Sequence, residues 1–159
     1  MNPEHQTNPA DVLRQVSPTL AGRLVESVMT PVPAQVAPGT TLTETARLMR
    51  DLDIGSVLVS DGGHLVGLVT DRDLVVRGLA EESSAAADEV GALCSERLVT
   101  VAPDDTLDDA AQLMRDAAVR RLPVVSDGMA VGVVSLGDLA LAQEPDSGLA
   151  SISGAQPNR

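Results

Sequence analysis

The sequence predicts an α/β (α+β) fold in which two tandem βαββα repeats pack about a pseudo-two-fold axis. Three observations carry this expectation. First, the chain repeats itself at an offset of 65: residues 28–74 and 93–139 share 17 identities in 47 ungapped positions, where chance would give only a few. Second, apolar residues inside each copy recur first at helical spacing and then in short β-rich runs broken by Gly turns. Third, one such unit has too few strands to bury an adequate core alone, so the two copies must cover each other's sheet.

The elements follow in order. Thr19–Met29 reads as a short leading helix with Leu20, Leu24 and Val28 on one face. Each copy then has a short extended piece, Ala34–Ala37 or Val99–Ala102, ending in the shared Val-Ala-Pro turn. Thr41 with Glu44, and Thr106 with Asp109, have the spacing of a helix-starting capping box. Leu42, Ala46, Met49 and Leu52 recur at helical spacing, as do Leu107, Ala111, Met114 and Ala118. A hairpin comes next: Ser56–Ser60 and Leu65–Thr70 around Asp61-Gly62-Gly63, and Leu122–Ser126 and Ala130–Ser135 around Asp127-Gly128. Second helices start near Asp71 and Leu136. The expected organisation is a mobile end at 1–18, repeat 1 at 19–80, a linker at 81–92, repeat 2 at 93–142 and a mobile end at 143–159.

Composition narrows the function. Apolar residues make up 43% of the chain, yet Phe, Tyr and Trp are absent, so the core is built from aliphatic residues and Met. A bound base must lie between aliphatic side chains, unlike the aromatic platforms of single-strand nucleic-acid binders. All 11 basic residues are Arg, and the net charge of −12 opposes phosphate backbones and anionic lipids. No nucleic-acid or membrane partner is expected. The single Cys94 permits no internal disulfide, and the polar N-terminal stretch lacks the basic and apolar regions of a secretory signal, so a cytoplasmic location is expected. Cys94 takes the place of Met29 in the repeat and reads as a small core residue. His5 and His64 are isolated, and the acidic run Asp104, Asp105, Asp108 and Asp109 lacks the spacing of a calcium loop, so no metal site is expected. No phosphate-cradling Gly loop or nucleophile motif occurs, and no catalytic residue is assigned.

Gly67-Leu68-Val69-Thr70-Asp71-Arg72-Asp73-Leu74 and Gly132-Val133-Val134-Ser135-Leu136-Gly137-Asp138-Leu139 resemble the closing signature of a CBS repeat. Val28-Met29-Thr30-Pro31 is similar to the family's opening, and Val119–Val125 to its middle strand. The resemblance covers about 28–140 and is strongest to small stand-alone bacterial members, the hypoxic-response type among them. It implies a disc-like pair of repeats, often two pairs to a homodimer, with an unknown protein partner downstream. It also implies clefts that hold an adenosine compound, such as AMP, ADP, ATP or S-adenosylmethionine, with no further cofactor required.

In that light Asp138, and Asp73 in a second cleft, are expected to accept hydrogen bonds from ribose hydroxyls. Ser135 and Thr70 stand at strand-to-helix junctions that favour an anion, or serve only as N-caps. Arg121, with Arg120 behind it, is expected to neutralise phosphate through a planar fork. By the family motif, Val133 and Ile54 would line the adenine, with Ala34 and Thr30 near the base edge. Repeat 1 has Gly55-Ser56 where repeat 2 has the two Arg, so one occupied cleft is expected, the one using Arg121, Ser135 and Asp138. The rival reading is a nucleotide-independent dimerisation or protein-interaction module.

Overall fold

The computed structural model describes residues 20, 22–31, 33–80, 88–94, 98–143 and 148–155. Two three-stranded sheets form the frame. Strand β1 (Thr30–Pro31) lies beside β6 (Met129–Ser135) and β5 (Arg121–Ser126) in one sheet. The other runs β2 (Gln35–Val36), β3 (Ser56–Asp61), β4 (His64–Thr70). The two hairpins are the same object repeated. Ser56 pairs with Thr70 and Arg121 with Ser135, and each ladder slips once, at Val59/Ser60 and at Val124/Val125. Their turns need left-handed backbone, supplied by Gly62 and Gly63 in one and by Asp127 (φ 51°) and Gly128 in the other.

Helices α1 (Leu42–Leu52) and α3 (Leu107–Ala117) begin as their sequences predict. The Thr41 hydroxyl accepts the Glu44 N–H at 3.1 Å, and the Glu44 carboxylate accepts the Thr41 N–H at 3.1 Å. Thr106 and Asp109 make the same reciprocal pair. The Thr41 hydroxyl, which donates to the Glu44 carboxylate at 2.8 Å, and then the Thr41 N–H hold the Glu44 carboxyl below its ordinary pKa of 4.5. After β4, α2 (Asp71–Asp73) widens into a π-helix over Leu74–Leu79, while α4 (Leu136–Gln143) stays regular.

The repeats exchange their leading segments. Val25 is fully buried in the core of repeat 2, beside Leu107, Leu122 and Val134. Val90, 65 residues on, is fully buried in the core of repeat 1, beside Met49, Val57 and Val69. The hydrogen bonds mirror each other: Val25 N–H to the Asp105 carbonyl at 2.9 Å, and Val90 N–H to the Thr40 carbonyl at 2.8 Å. Two glycines make room for the exchange. A Cβ on Gly132 would lie 2.6 Å from the Met29 sulfur, and one on Gly67 would lie 2.6 Å from the Cys94 sulfur. Cys94 is thus packed in the core of repeat 1, and burial pushes its thiol pKa up.

Three sequence expectations need correcting. Residues 22–29 form no leading helix; Leu24 is extended and bridges Thr106, and only Val25–Ser27 makes a 3-10 turn. Tertiary pairing with the second repeat overrides the local periodicity. Secondly, the boundary between linker and repeat 2 does not follow the packing, because Val90–Leu93 is a 3-10 turn docked on repeat 1. Thirdly, the C-terminal stretch contains a helix, α5 (Gly148–Ser153), packed on α4. Six residues are too few for a periodic signal to accumulate. Residues 1–18 and 81–87 lie outside the described residues.

Candidate functional site

The sheet pairings assemble a cleft between the repeats. Thr30 stands opposite Val133 across β1 and β6, and Arg121 opposite Ser135 across β5 and β6. Val133 and Ser135 are two residues apart on one strand and point the same way. These four side chains therefore share one face of the second sheet. Repeat 1 closes the cleft from the other side with Ala34 and with Ile54, Gly55 and Ser56, the turn entering β3. That turn is held by the left-handed Asp53 (φ 57°) and by the Ile54 N–H bonded to the Met49 carbonyl at 2.9 Å. Asp138 completes the lining from α4. The cleft encloses about 310 Å³, the lower end of ligand pockets, which run roughly 300–1,000 Å³.

The structure thus brings together Thr30, Ala34, Ile54, Arg121, Val133, Ser135 and Asp138. Arg120 is not among the lining residues. Its neighbour Arg121 lines the cleft from the start of β5, whereas Arg120 lies in the bend before that strand and is exposed to solvent. Pro33, Leu52, Gly55 and Ser56 also line the cleft, unassigned by the sequence. Their signal was the repeat itself, since Gly55 and Ser56 occupy the offset positions of Arg120 and Arg121.

Ser135 and Asp138 form a closed pair at the start of α4. Asp138 Oδ2 accepts from the Ser135 N–H at 2.7 Å and from the Ser135 hydroxyl at 2.6 Å. The hydroxyl accepts from the Asp138 N–H at 3.3 Å. The Ser135 proton is therefore committed, which suits the hydroxyl to accept from a ligand rather than to donate to phosphate. Asp138 Oδ1 takes no hydrogen bond among the described residues, and Asp138 lines the cleft, so this oxygen can accept a ribose hydroxyl.

Thr70 and Asp73 make the same pair, with Asp73 Oδ2 accepting from the Thr70 N–H at 2.9 Å and its hydroxyl at 2.6 Å. Their surroundings differ. Asp73 Oδ1 has the Arg77 guanidinium at 4.0 Å, and Arg77 is itself anchored to the Leu93 carbonyl at 2.8 Å. The position equivalent to Arg77 in repeat 2 is Ala142; Arg23, bonded to the Ala142 carbonyl at 2.9 Å, lines a hollow with Asp138, but no ion pair of Asp138 forms among the described residues. Residues 95–97, the offset equivalents of Thr30, Pro31 and Val32, lie outside the described residues.

A larger groove of about 440 Å³ runs between α1 and the π-helical segment, lined by Leu42, Ala46, Met49, Leu74, Val75 and Leu79 with Arg47 and Arg50 at its edge. It has no counterpart of the Ser135–Asp138 pair, and Asp71 also lines it. Among the described residues, no group of three or more His, Cys, Asp or Glu is placed to hold a metal ion. No helix among them is long and apolar enough to cross a membrane.

Comparison with known proteins agrees with this architecture. The CBS domain family model matches residues 25–78 and 90–144. The chain is similar to the CBS domain-containing protein YhcV of Bacillus subtilis, 40% identical over 119 residues, covering 75% of this chain and 84% of that protein. It is also similar to hypoxic response protein 1 of Mycobacterium tuberculosis, 35% identical over 101 residues, covering 63% of this chain and 71% of that protein. Among solved structures, the crystal structure of CBSX2 in complex with AMP superposes with a TM-score of 0.65 at 30% identity, covering 76% of this chain and 96% of that one.

Proposed function

The chain belongs to the CBS-domain family, and from that premise we propose that it is a non-catalytic regulatory module of the cytoplasm that binds an adenosine compound in the cleft between its repeats. The observation that carries this reading is the convergence of Thr30, Ala34, Ile54, Arg121, Val133, Ser135 and Asp138 on one cleft from two separate repeats. Aliphatic walls enclose the base, the open oxygen of Asp138 accepts from ribose, and Arg121 faces the 5′ substituent. The AMP bound by CBSX2 supports the ligand class. The ligand itself needs no further cofactor. Because it would touch Ile54 and Gly55 on one side and Asp138 on the other, binding favours one relative arrangement of the repeats through its differential affinity for that arrangement.

The expected homodimer is proposed to form through the α1/α2 groove, with a second copy of this chain as occupant. Val75 and Leu79 are 57% and 79% exposed beside it. Arg47, exposed on the groove's lining, complements Asp109 and Asp116, exposed on α3 of a second copy. The same groove favours the second reading, an interaction module that works without nucleotide. Circular-dichroism melts with millimolar AMP, ADP, ATP or S-adenosylmethionine separate the two. A ligand at roughly 100 times its Kd adds about 2.7 kcal/mol, or several degrees of Tm. At least one of the four should raise Tm in the native chain and not in Asp138→Ala. Four flat responses would leave only the interaction module.

A further inference from the structure

We infer that Asp71 is a specificity residue of this cleft, selecting adenosine compounds whose 5′ substituent carries no net negative charge over nucleotides. This rests on the adenosine reading above. The geometry centres on Gly55, which lines both the inter-repeat cleft and a second hollow beside it. The point a Cβ on Gly55 would occupy lies 3.1 Å from Arg121 Nη2 and 3.4 Å from Asp71 Oδ2. Arg121, which lines the cleft, and Asp71, which lines the adjoining hollow, thus flank Gly55, the residue through which the two spaces meet. They make no ion pair with each other among the described residues.

The carboxylate is aimed there. Asp71 Oδ1 is occupied by the Arg72 N–H at 2.7 Å, leaving Oδ2 on the Gly55 side. Gly55 itself is tied to this residue, since the Asp71 N–H donates to the Gly55 carbonyl at 3.2 Å. The remaining charges at this end do not tip the balance toward an anion. Arg50 is held by Asp51 at 2.7 Å, and Arg120 is exposed in the bend before β5. Nor is Asp71 part of the repeat's structural template, because Leu136 stands in its place in repeat 2.

A phosphate dianion placed against Arg121 meets Asp71 at close range. At an exposed site one such repulsion is on the order of a tenfold loss in affinity. A neutral 5′ group escapes it. The probes are AMP and 5′-methylthioadenosine, which share the nucleoside and differ in 5′ charge, titrated by calorimetry into the native chain and into Asp71→Asn. Expected is tighter binding of 5′-methylthioadenosine than of AMP to the native chain. Asp71→Asn should tighten AMP about tenfold and leave 5′-methylthioadenosine unchanged, with the AMP gain shrinking at high salt. AMP binding the native chain as well as the neutral probe overturns the inference and leaves the adenosine reading intact. So does an equal change for both probes in Asp71→Asn. No binding of either probe overturns both.

Discussion

The exchange of leading segments makes a quantitative prediction at Gly67. A methyl group there would sit 2.6 Å from the Cys94 sulfur and 2.8 Å from the Cys94 Cβ, closer than packed atoms approach. Gly67 has an ordinary backbone conformation, so Gly67→Ala carries no strain of its own. Its cost is overpacking, about 1–3 kcal/mol. Cys94→Gly removes both offending atoms and leaves the Cys94 Cα at 3.5 Å from the new methyl, an ordinary contact. Alone, that change loses packing and backbone restraint for about 1–2 kcal/mol. Together the two changes should cost less than their sum by about 1–2 kcal/mol, because the methyl fills space the thiol vacated. With no Trp, Tyr or Phe in the chain, urea unfolding has to be followed by circular dichroism. Strictly additive losses would refute the exchange, since residues on separate repeats that do not touch cannot couple.

Two further predictions follow from local chemistry. Leu79→Glu, at a residue 79% exposed on the α1/α2 groove, should convert a dimer to a monomer in size-exclusion chromatography with light scattering; a dimer that persists, or a native chain already monomeric, contradicts the proposed face. The depressed Glu44 carboxyl contributes stability that is present above its unfolded pKa and is lost as pH falls through its lower folded value. The stability gap between native chain and Glu44→Gln should therefore close as pH drops below about 4.5, and a gap that stays constant through that window would show that Glu44 is not held by Thr41.

Much of the molecule was legible because the repeat compares the chain with itself. Thr41 with Glu44 and Thr106 with Asp109 announced the helix starts, and Asp61-Gly62-Gly63 and Asp127-Gly128 announced the hairpins. Their chemistry acts within a few residues, where sequence patterns are informative. The leading helix failed because Leu24 and Val25 are committed to partners some 80 residues away, at Thr106 and Asp105. No local rule reports such a pairing. The same distance effect hid the difference between Asp73 and Asp138. Each looks alike in its own motif, and only the helix turn beyond separates them, Arg77 in one copy and Ala142 in the other. Arg120 was grouped with Arg121 by adjacency, whereas the strand begins at Arg121 and leaves Arg120 exposed in the bend before it.

The central claim is that one cleft between the repeats receives the adenosine moiety. A titration of isotope-labelled protein with adenosine, followed by amide chemical shifts, tests it residue by residue. Saturable shifts at Thr30, Ala34, Ile54, Gly55, Ser56, Val133, Ser135 and Asp138 are predicted, and they should vanish in Asp138→Ala. Shifts confined to Thr70 and Asp73 or to the α1/α2 groove, or none at saturating adenosine, would contradict it.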